Sequence, residues 1–237
     1  MSAGQQAVSP LITCEHGGNA VPERWRYLFR EHESLLDSHL GFDRGSLDVA
    51  RALARKLRAP LLFGRYTRLL VELNRSADHP RHFSKFTRVL PAGERQMLDD
   101  EYWRPHWARY GQLLHGLPGR VVHVACHSFA PVLHGREREV DVALLYDPAR
   151  AGERAWCRLL ADRIRSVSPD LRVRMNYPYR GTSNGMGQQH RQWFGDECLI
   201  TVELEVNQAL CDREDWTGVV HLLTDTIEWS LHRESSS

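Results

Sequence analysis

Short apolar runs that alternate with longer amphipathic segments are the feature that most restricts the fold of this chain. Most of the runs are continuously apolar, as in Leu11–Cys14 and Cys198–Val206, which is typical of strands covered on both faces. The segments between them carry apolar residues at helical spacing, most clearly in Ser46–Leu57. This alternation predicts an α/β sheet with helices on both faces.

The predicted elements cover most of the 237 residues, and neither a repeat nor a linker divides them. We therefore expect a single domain over residues 1–237, with mobile tails at 1–8 and 234–237. The expected strands are Leu11–Cys14, Pro60–Phe63, Leu69–Leu73, Arg120–Cys126, Val140–Tyr146, Leu171–Met175 and Cys198–Val206. The expected helices are Pro22–His32, Ser46–Leu57, Gly93–His115, Pro148–Ser166, Ser183–Trp193 and Glu214–His232.

Charge and cysteine content exclude several classes of protein. The formal net charge of +1 provides no basic excess for a nucleic-acid partner. No apolar run approaches the roughly 20 residues of a membrane helix, and no signal peptide is visible, so we expect a cytoplasmic protein. The five cysteines include no C-x-x-C pair, which argues against a disulfide framework and a finger-type zinc site.

Polar side chains follow several expected strands at their carboxyl ends, where open α/β sheets bind ligands. Two histidines at equivalent strand ends, with a carboxylate available, suggest a metal site, and the alternative is that they are hydrogen-bonded structural histidines. A catalytic zinc takes three protein ligands and keeps one position open. The residues at these ends are Glu15 and His16, Asn74 and Arg75, and His127 and Ser128.

The pattern of residues alone leaves the identity of the third metal ligand undecided. Asp43 lies just ahead of a predicted helix, although an acid there can also simply stabilise the helix N-terminus. Asn19 is the local alternative to Asp43, but a neutral amide is a poor zinc ligand. Glu15 ranks low, because side chains alternate along a strand and Glu15 then points away from His16.

Glu203 and Glu205 share one face of an apolar predicted strand, because side chains alternate with period two. Carboxylates in such a run are costly unless they are paired or functional. One interpretation is a half-exposed face with salt bridges. The other is a general base acting on a metal-bound water.

Arginines and a Gly- and Asn-rich loop suggest a site for a carboxylate substrate. Arg75 can bind a carboxylate bidentately and stabilise developing oxyanion charge, or it can form a structural ion pair with Glu72 or Asp78. The segment 176–191, with Arg180 near its start, is typical of a binding loop. We include Ser128 and Asn184 as further predicted substrate contacts.

Six blocks together resemble the N-formylglutamate amidohydrolase family, and they run from about residue 11 to residue 211. They are CEHGGNAVP, HLGFDRGSLDVA, LLVELNRSADHPR, HVACHSFAPVL, NYPYRGTSNG and ITVELEVNQAL. This family is similar to the zinc carboxypeptidases and aspartoacylases. The resemblance therefore implies a three-layer α/β/α fold with a mixed, mostly parallel sheet of the phosphorylase/hydrolase type.

The same resemblance implies roles for individual residues. CHSF implies a zinc ligand at His127, and LNRS implies substrate-carboxylate contacts at Asn74 and Arg75. TVELEVNQ implies a catalytic glutamate at Glu203 or Glu205, with Glu205 preferred. The chain departs from the carboxypeptidase pattern H-x-x-E, since Asn19 follows His16 where that pattern has the acid. We therefore expect His16, Asp43 and His127 to hold the metal.

These residues lead to the expectation of an amidohydrolase that uses Zn²⁺ or another divalent metal. Its expected substrate is a small N-acyl amino acid, with N-formyl-L-glutamate giving formate and L-glutamate. Another N-acyl amino acid or a short peptide is an alternative substrate. A ligand-binding relative without catalysis is the alternative outside enzymes, because Asn19 replaces the acid of the H-x-x-E pattern.

Overall fold

A mixed sheet forms the centre of residues 7–234, which are the residues that this computed structural model describes. Within them the strands are β1 (Val8–Cys14), β2 (Leu61–Phe63), β3 (Arg120–Phe129), β4 (Val132–Leu133), β5 (Arg136–Glu137), β6 (Val142–Leu145), β7 (Val173–Met175) and β8 (Leu199–Asn207). The α-helices of the same residues are α1 (Glu33–Leu36), α2 (Ser46–Leu57), α3 (Ala92–Leu98), α4 (Arg104–Gly116), α5 (Ala151–Val167), α6 (Met186–His190) and α7 (Trp216–Glu234).

The six strands of the main sheet in the described chain lie in the order β2-β1-β3-β8-β6-β7. All neighbouring pairs are parallel except β6 and β8, which are antiparallel. β4 and β5 form a separate small hairpin that the sequence did not predict. The mixed, mostly parallel sheet of the expected three-layer α/β/α fold is thereby confirmed.

Helices cover both faces of the sheet, as continuously apolar strands require. On one face Ile12, Val124 and Leu204 belong to a large buried cluster with residues of α2, α5 and α7. On the other face Leu11 and other strand residues pack against α4 and α6. The carboxyl ends of β1 and β3 stay side by side, because Thr13 pairs with Ala125 in parallel register.

The predicted strand Leu69–Leu73 is wrong. Its backbone is bonded locally, since the Leu70 N–H donates to the Thr67 carbonyl and the Glu72 N–H donates to the His82 carbonyl. Its leucines belong to a separate buried cluster with Trp25 and Phe29. The run is apolar because this separate cluster, away from the sheet, buries it. Apolar character alone therefore led to a wrong strand prediction.

Several predicted helices differ in type or length. Pro22–His32 is a 3₁₀ helix over Glu23–Phe29 that precedes α1, and α6 is shorter than Ser183–Trp193. Gly93–His115 consists of α3, a π-helical turn at Asp99–Trp103, and α4. The bounds of α2 are as predicted.

The ends of the described chain are regular. Val8 starts β1 and Glu234 ends α7, although both were expected in mobile tails. The rest of those expected tails, apart from Ala7, lies outside the described residues. Across residues 7–234, none of the helices has the length and apolar character that crossing a bilayer requires.

Candidate metal and substrate site

Three buried side chains meet at the carboxyl ends of β1 and β3. His16 follows β1, His127 lies near the end of β3, and Asp43 precedes α2. The Asp43 N–H donates a hydrogen bond of 2.9 Å to the His16 carbonyl, which brings the α2 loop to the sheet edge. Ligand atoms of these three residues lie within 4.8 Å of one another.

The two imidazoles face the same carboxylate oxygen. Asp43 Oδ2 lies 3.2 Å from His16 Nδ1 and 3.0 Å from His127 Nδ1. The Ser128 N–H also contacts this oxygen at 3.3 Å, and the two imidazole ring centroids are 5.0 Å apart. Two imidazoles and one carboxylate are a donor set that catalytic zinc accepts. The residues present therefore fit a divalent metal, and their role as ligands stays a prediction.

Each imidazole also contacts a second buried carboxylate, on the side of the ring away from Asp43. His16 Nε2 is hydrogen-bonded to Glu72, and His127 Nε2 lies 3.0 Å from Glu15 Oε2. Arg68 Nε donates to Glu72 Oε2 at 2.9 Å, and Arg68 Nη1 lies 3.5 Å from Asp43 Oδ1. Sequence reasoning missed these contacts, since it considered Glu72 only as a partner of Arg75 and ranked Glu15 low.

Opposite charges outweigh burial for the carboxylates of this cluster. Burial raises the pKa of Asp43, but His16, His127 and Arg68 lower it by more than burial raises it. The net pKa of Asp43 therefore lies below the ordinary range. Burial likewise raises the pKa of Glu72, and the charges of Arg68 and His16 bring that pKa well below its usual value. Both carboxylates are therefore held in the ionised form that binds a cation.

The imidazole pKa values move in the opposite direction. Burial lowers the pKa of His127, yet the adjacent Asp43 and Glu15 raise it well above its usual value. Burial and Arg68 lower the pKa of His16, while Glu72 and Asp43 raise it to a net value above normal. The neighbouring carboxylates therefore attract positive charge to this cluster, as they would attract a divalent cation.

Glu203 and Glu205 line one cavity of about 200 Å³ together with the three candidate ligands. Glu205 is 5% exposed and pairs with His127 in the β3–β8 register. Its Oε2 has no hydrogen-bond partner among the residues described, and burial raises its pKa to about 8. Burial also raises the pKa of Glu203. Glu205 is thus a buried carboxyl with a free oxygen beside the candidate metal ligands.

Positive side chains line the same cavity. Arg75 and Arg180 were predicted to do so, whereas Arg68 and Arg81 were not. Arg75 Nη1 donates to the carbonyls of Asn74, at 2.9 Å, and of Asn184. Arg75 is therefore held by backbone carbonyls, while Glu72, its proposed ion-pair partner, is paired with Arg68. The residues that line the cavity are His16, His39, Asp43, Arg68, Asn74, Arg75, Arg81, His127, Ser128, Phe129, Ala130, Tyr179, Arg180, Ser183, Glu203 and Glu205.

The three polar, uncharged residues predicted to contact substrate differ in their hydrogen-bond partners. Asn74 Oδ1 accepts from the Met186 N–H at 3.0 Å, which leaves Asn74 Nδ2 3.4 Å from His127 Nε2. Ser128 lines the cavity, and its hydroxyl donates to the Arg44 carbonyl at 2.8 Å. The Asn184 side chain binds Ser76 instead of lining the cavity. Its predicted contact with substrate stays a prediction, and what it contributes directly is the carbonyl that holds Arg75.

Asn19 lies outside the candidate metal cluster. Its Nδ2 donates to Asp37 Oδ1 at 2.8 Å and to the Leu36 carbonyl at 3.2 Å. This amide connects the loop after His16 to the end of α1. The acid of the group is Asp43, which comes from a loop 27 residues after His16.

Comparison with known proteins identifies one family and several structural neighbours. The sequence model of the N-formylglutamate amidohydrolase family matches residues 8–211. A crystal structure of a gene product from Agrobacterium tumefaciens is 27% identical, with a TM-score of 0.76 over 96% of this chain and 92% of that one. A crystal structure of N-formylglutamate amidohydrolase from Ralstonia eutropha JMP134 is 18% identical, with a TM-score of 0.67 over 97% and 94%. Comparison with curated proteins gives no match.

Proposed function

We propose, because the chain belongs to the N-formylglutamate amidohydrolase family, that it hydrolyses the amide of a small N-acyl amino acid with the help of a divalent metal. The proposed substrate is N-formyl-L-glutamate, which gives formate and L-glutamate. The observation that carries this proposal is the His16, Asp43 and His127 cluster, which shares one cavity with the buried Glu205 and the half-buried Glu203.

The proposed cofactor is Zn²⁺, held by His16, Asp43 and His127. When bound, zinc polarises a scissile carbonyl and lowers the pKa of water toward neutrality. Support comes from the donor chemistry of two imidazoles and a carboxylate, and from the ionised state of Asp43.

The proposed general base is Glu205, with Glu203 as the alternative. It takes a proton from the attacking water and transfers it to the leaving amine as the carbon–nitrogen bond breaks. Two observations favour Glu205. One of its oxygens has no hydrogen-bond partner within residues 7–234, and burial brings its pKa to about 8, near the working pH of a proton carrier.

Arg75 and Arg180 are the proposed contacts for substrate carboxylates, because guanidinium groups bind carboxylates bidentately. Both line the cavity, and the backbone carbonyls that hold Arg75 reduce the freedom of its side chain before substrate arrives. Asn74, Ser128 and Asn184 remain proposed contacts that orient the acyl amino acid.

The test is hydrolysis by purified, zinc-supplied protein of a panel of N-formyl and N-acetyl amino acids and short peptides. Release of formate from N-formyl-L-glutamate, with loss of both activity and zinc in His127→Ala, is the expected result. His221→Ala, at an exposed position of α7, is the matched control and should keep both. Full zinc content and full hydrolysis in His127→Ala would refute the proposal.

The non-catalytic alternative is tested in the same preparation. Calorimetric binding of N-acyl amino acids without product release, in protein shown to contain zinc, would favour a ligand-binding relative. Cleavage of a different acyl amino acid or a peptide, with N-formyl-L-glutamate untouched, would keep the reaction class and replace the substrate.

A further inference from the structure

Each candidate metal-binding histidine has a buried carboxylate on the side away from Asp43. We infer that Glu72 and Glu15 are positioning residues that keep the proton on Nε2 of His16 and of His127, so that both Nδ1 atoms are free to bind the metal. The inference rests on the metal site of the proposed function and adds two residues and a tautomer to it.

For His16, each of the two ring nitrogens has a hydrogen-bonded carboxylate partner. Its Nε2 contacts Glu72 Oε1, while its Nδ1 lies 3.2 Å from Asp43 Oδ2. Glu72 is itself fixed, because its Oε1 accepts from the Asn74 N–H at 2.9 Å and its Oε2 accepts from Arg68 Nε at 2.9 Å. A backbone N–H and a guanidinium therefore hold the Glu72 carboxylate in position next to Nε2 of His16.

For His127 a different carboxylate lies in the corresponding position, although neither Glu15 oxygen has a hydrogen-bond partner among the described residues. The His127 Nε2 lies 3.0 Å from Glu15 Oε2 and 3.4 Å from Asn74 Nδ2, so the carboxylate is the nearer group, and the His127 Nδ1 lies 3.0 Å from Asp43 Oδ2. Glu15 is only 1% exposed, and a carboxylate buried so completely is costly unless a polar group satisfies it. A proton on Nε2 satisfies Glu15 and leaves the Nδ1 lone pair on the side of Asp43.

This pairing has a known consequence at metal centres. A ligating histidine commonly donates its other ring N–H to a carboxylate, which fixes the tautomer and the ring orientation and makes the imidazole a stronger ligand. Loss of such a partner typically weakens metal binding about 10- to 100-fold. Here both histidines have such a partner, and the two carboxylates come from separate parts of the chain.

The experiment measures zinc affinity, which needs no substrate. Glu72→Gln and Glu15→Gln keep the side-chain shape and remove the charge, and zinc dissociation constants are obtained by competition with a chromophoric chelator. Glu153→Gln is the matched control, since Glu153 is equally buried but pairs with Arg150 and Arg191. We expect about 10- to 100-fold weaker zinc binding in the two test variants and less than a twofold change in the control.

Two further readouts separate a positioning role from a merely structural one. Thermal unfolding of the zinc-free proteins shows whether a variant is simply less folded, and affinities are compared only per folded molecule. Long-range ¹H–¹⁵N spectra of the zinc-loaded wild type report the tautomers directly, even if a variant fails to fold. A proton on Nε2 and zinc on Nδ1 of both histidines is the expected result.

The inference is overturned if zinc occupies Nε2 of either histidine, or if both Gln variants bind zinc as tightly as the wild type. Those outcomes leave the proposed hydrolase intact, because the wild type still binds zinc and cleaves substrate. A wild type that binds no zinc overturns the metal site and this inference together, and is recognised before any variant is made.

Discussion

Acidification should destabilise this protein through His123, a fully buried histidine at the centre of the sheet. Its Nε2 lies 2.9 Å from the Thr13 hydroxyl, and its Nδ1 lies 2.8 Å from the hydroxyls of Tyr110 and of Thr201. Its side chain is 0% exposed, and burial is the main reason why its pKa falls to about 3. The folded protein therefore holds this imidazole in the neutral form.

The direction of the pH effect on stability follows from the pKa of His123 in the unfolded and in the folded chain. In the unfolded chain His123 takes up a proton near pH 6.5, and in the folded chain only near pH 3. Its contribution is therefore complete above pH 6.5 and is lost as the pH falls toward 3. Each pH unit in that window costs about 1.4 kcal/mol, so the free energy of unfolding should fall by about 2 kcal/mol between pH 8 and pH 5.

The assay is urea unfolding of the wild type and of His123→Gln at several pH values from 8 to 5. Gln is not titratable, so the stability difference between the two proteins should shrink by about 2 kcal/mol on acidification, while contributions of other groups cancel. His221→Ala, exposed on α7, should show a constant difference from the wild type. A constant difference for His123→Gln would refute the reasoning, because the folded protein would then accept the proton as readily as the unfolded chain.

Three further predictions concern the site. Glu205→Gln should lower kcat about 10²- to 10⁴-fold at unchanged zinc content, and Glu203→Gln less than tenfold, as measured by formate release and metal analysis; the reverse order would make Glu203 the base. Gly18→Ala should lower the free energy of unfolding by about 1–3 kcal/mol in urea, because its Cβ would lie 2.2 Å from the Arg65 carbonyl oxygen. Gly93→Ala is the control, with nothing within 4 Å of its Cβ; equal effects would contradict the steric reason. Dialysis against a chelator should abolish hydrolysis and added zinc should restore it, so that full activity without metal would exclude the metal mechanism.

The sheet and one of its main helices could be predicted from the sequence because their signals are local. Apolar runs long enough for a strand led to β1, β3 and β8, and helical spacing led to the bounds of α2. The same local signal failed at Leu69–Leu73, because an apolar run does not specify whether a neighbouring strand or a separate cluster buries it.

The candidate ligands were also accessible, in part, from sequence. His16 follows β1 and His127 lies near the end of β3, and carboxyl ends of parallel strands meet at one edge of a sheet. Asp43 was a candidate from its position just ahead of a predicted helix, and it was chosen because Asn19 replaces the acid of the H-x-x-E pattern. The structure brings its carboxylate between the two imidazoles. The local sequence around Asp43 did not distinguish a metal ligand from an acid that stabilises a helix N-terminus, because its loop reaches the sheet edge through a tertiary hydrogen bond to the His16 carbonyl.

The carboxylates behind the histidines were decided by tertiary structure alone. Alternation along β1 was the reason to rank Glu15 low, but alternation does not show what lies beside Glu15. That depends on register: Thr13 pairs with Ala125, so two residues later Glu15 lies level with His127. Glu72 reaches His16 across 56 residues from a segment whose sequence imitates a strand. Sequence periodicity determines which face a side chain takes, whereas the partner on that face depends on strand pairing and loop packing.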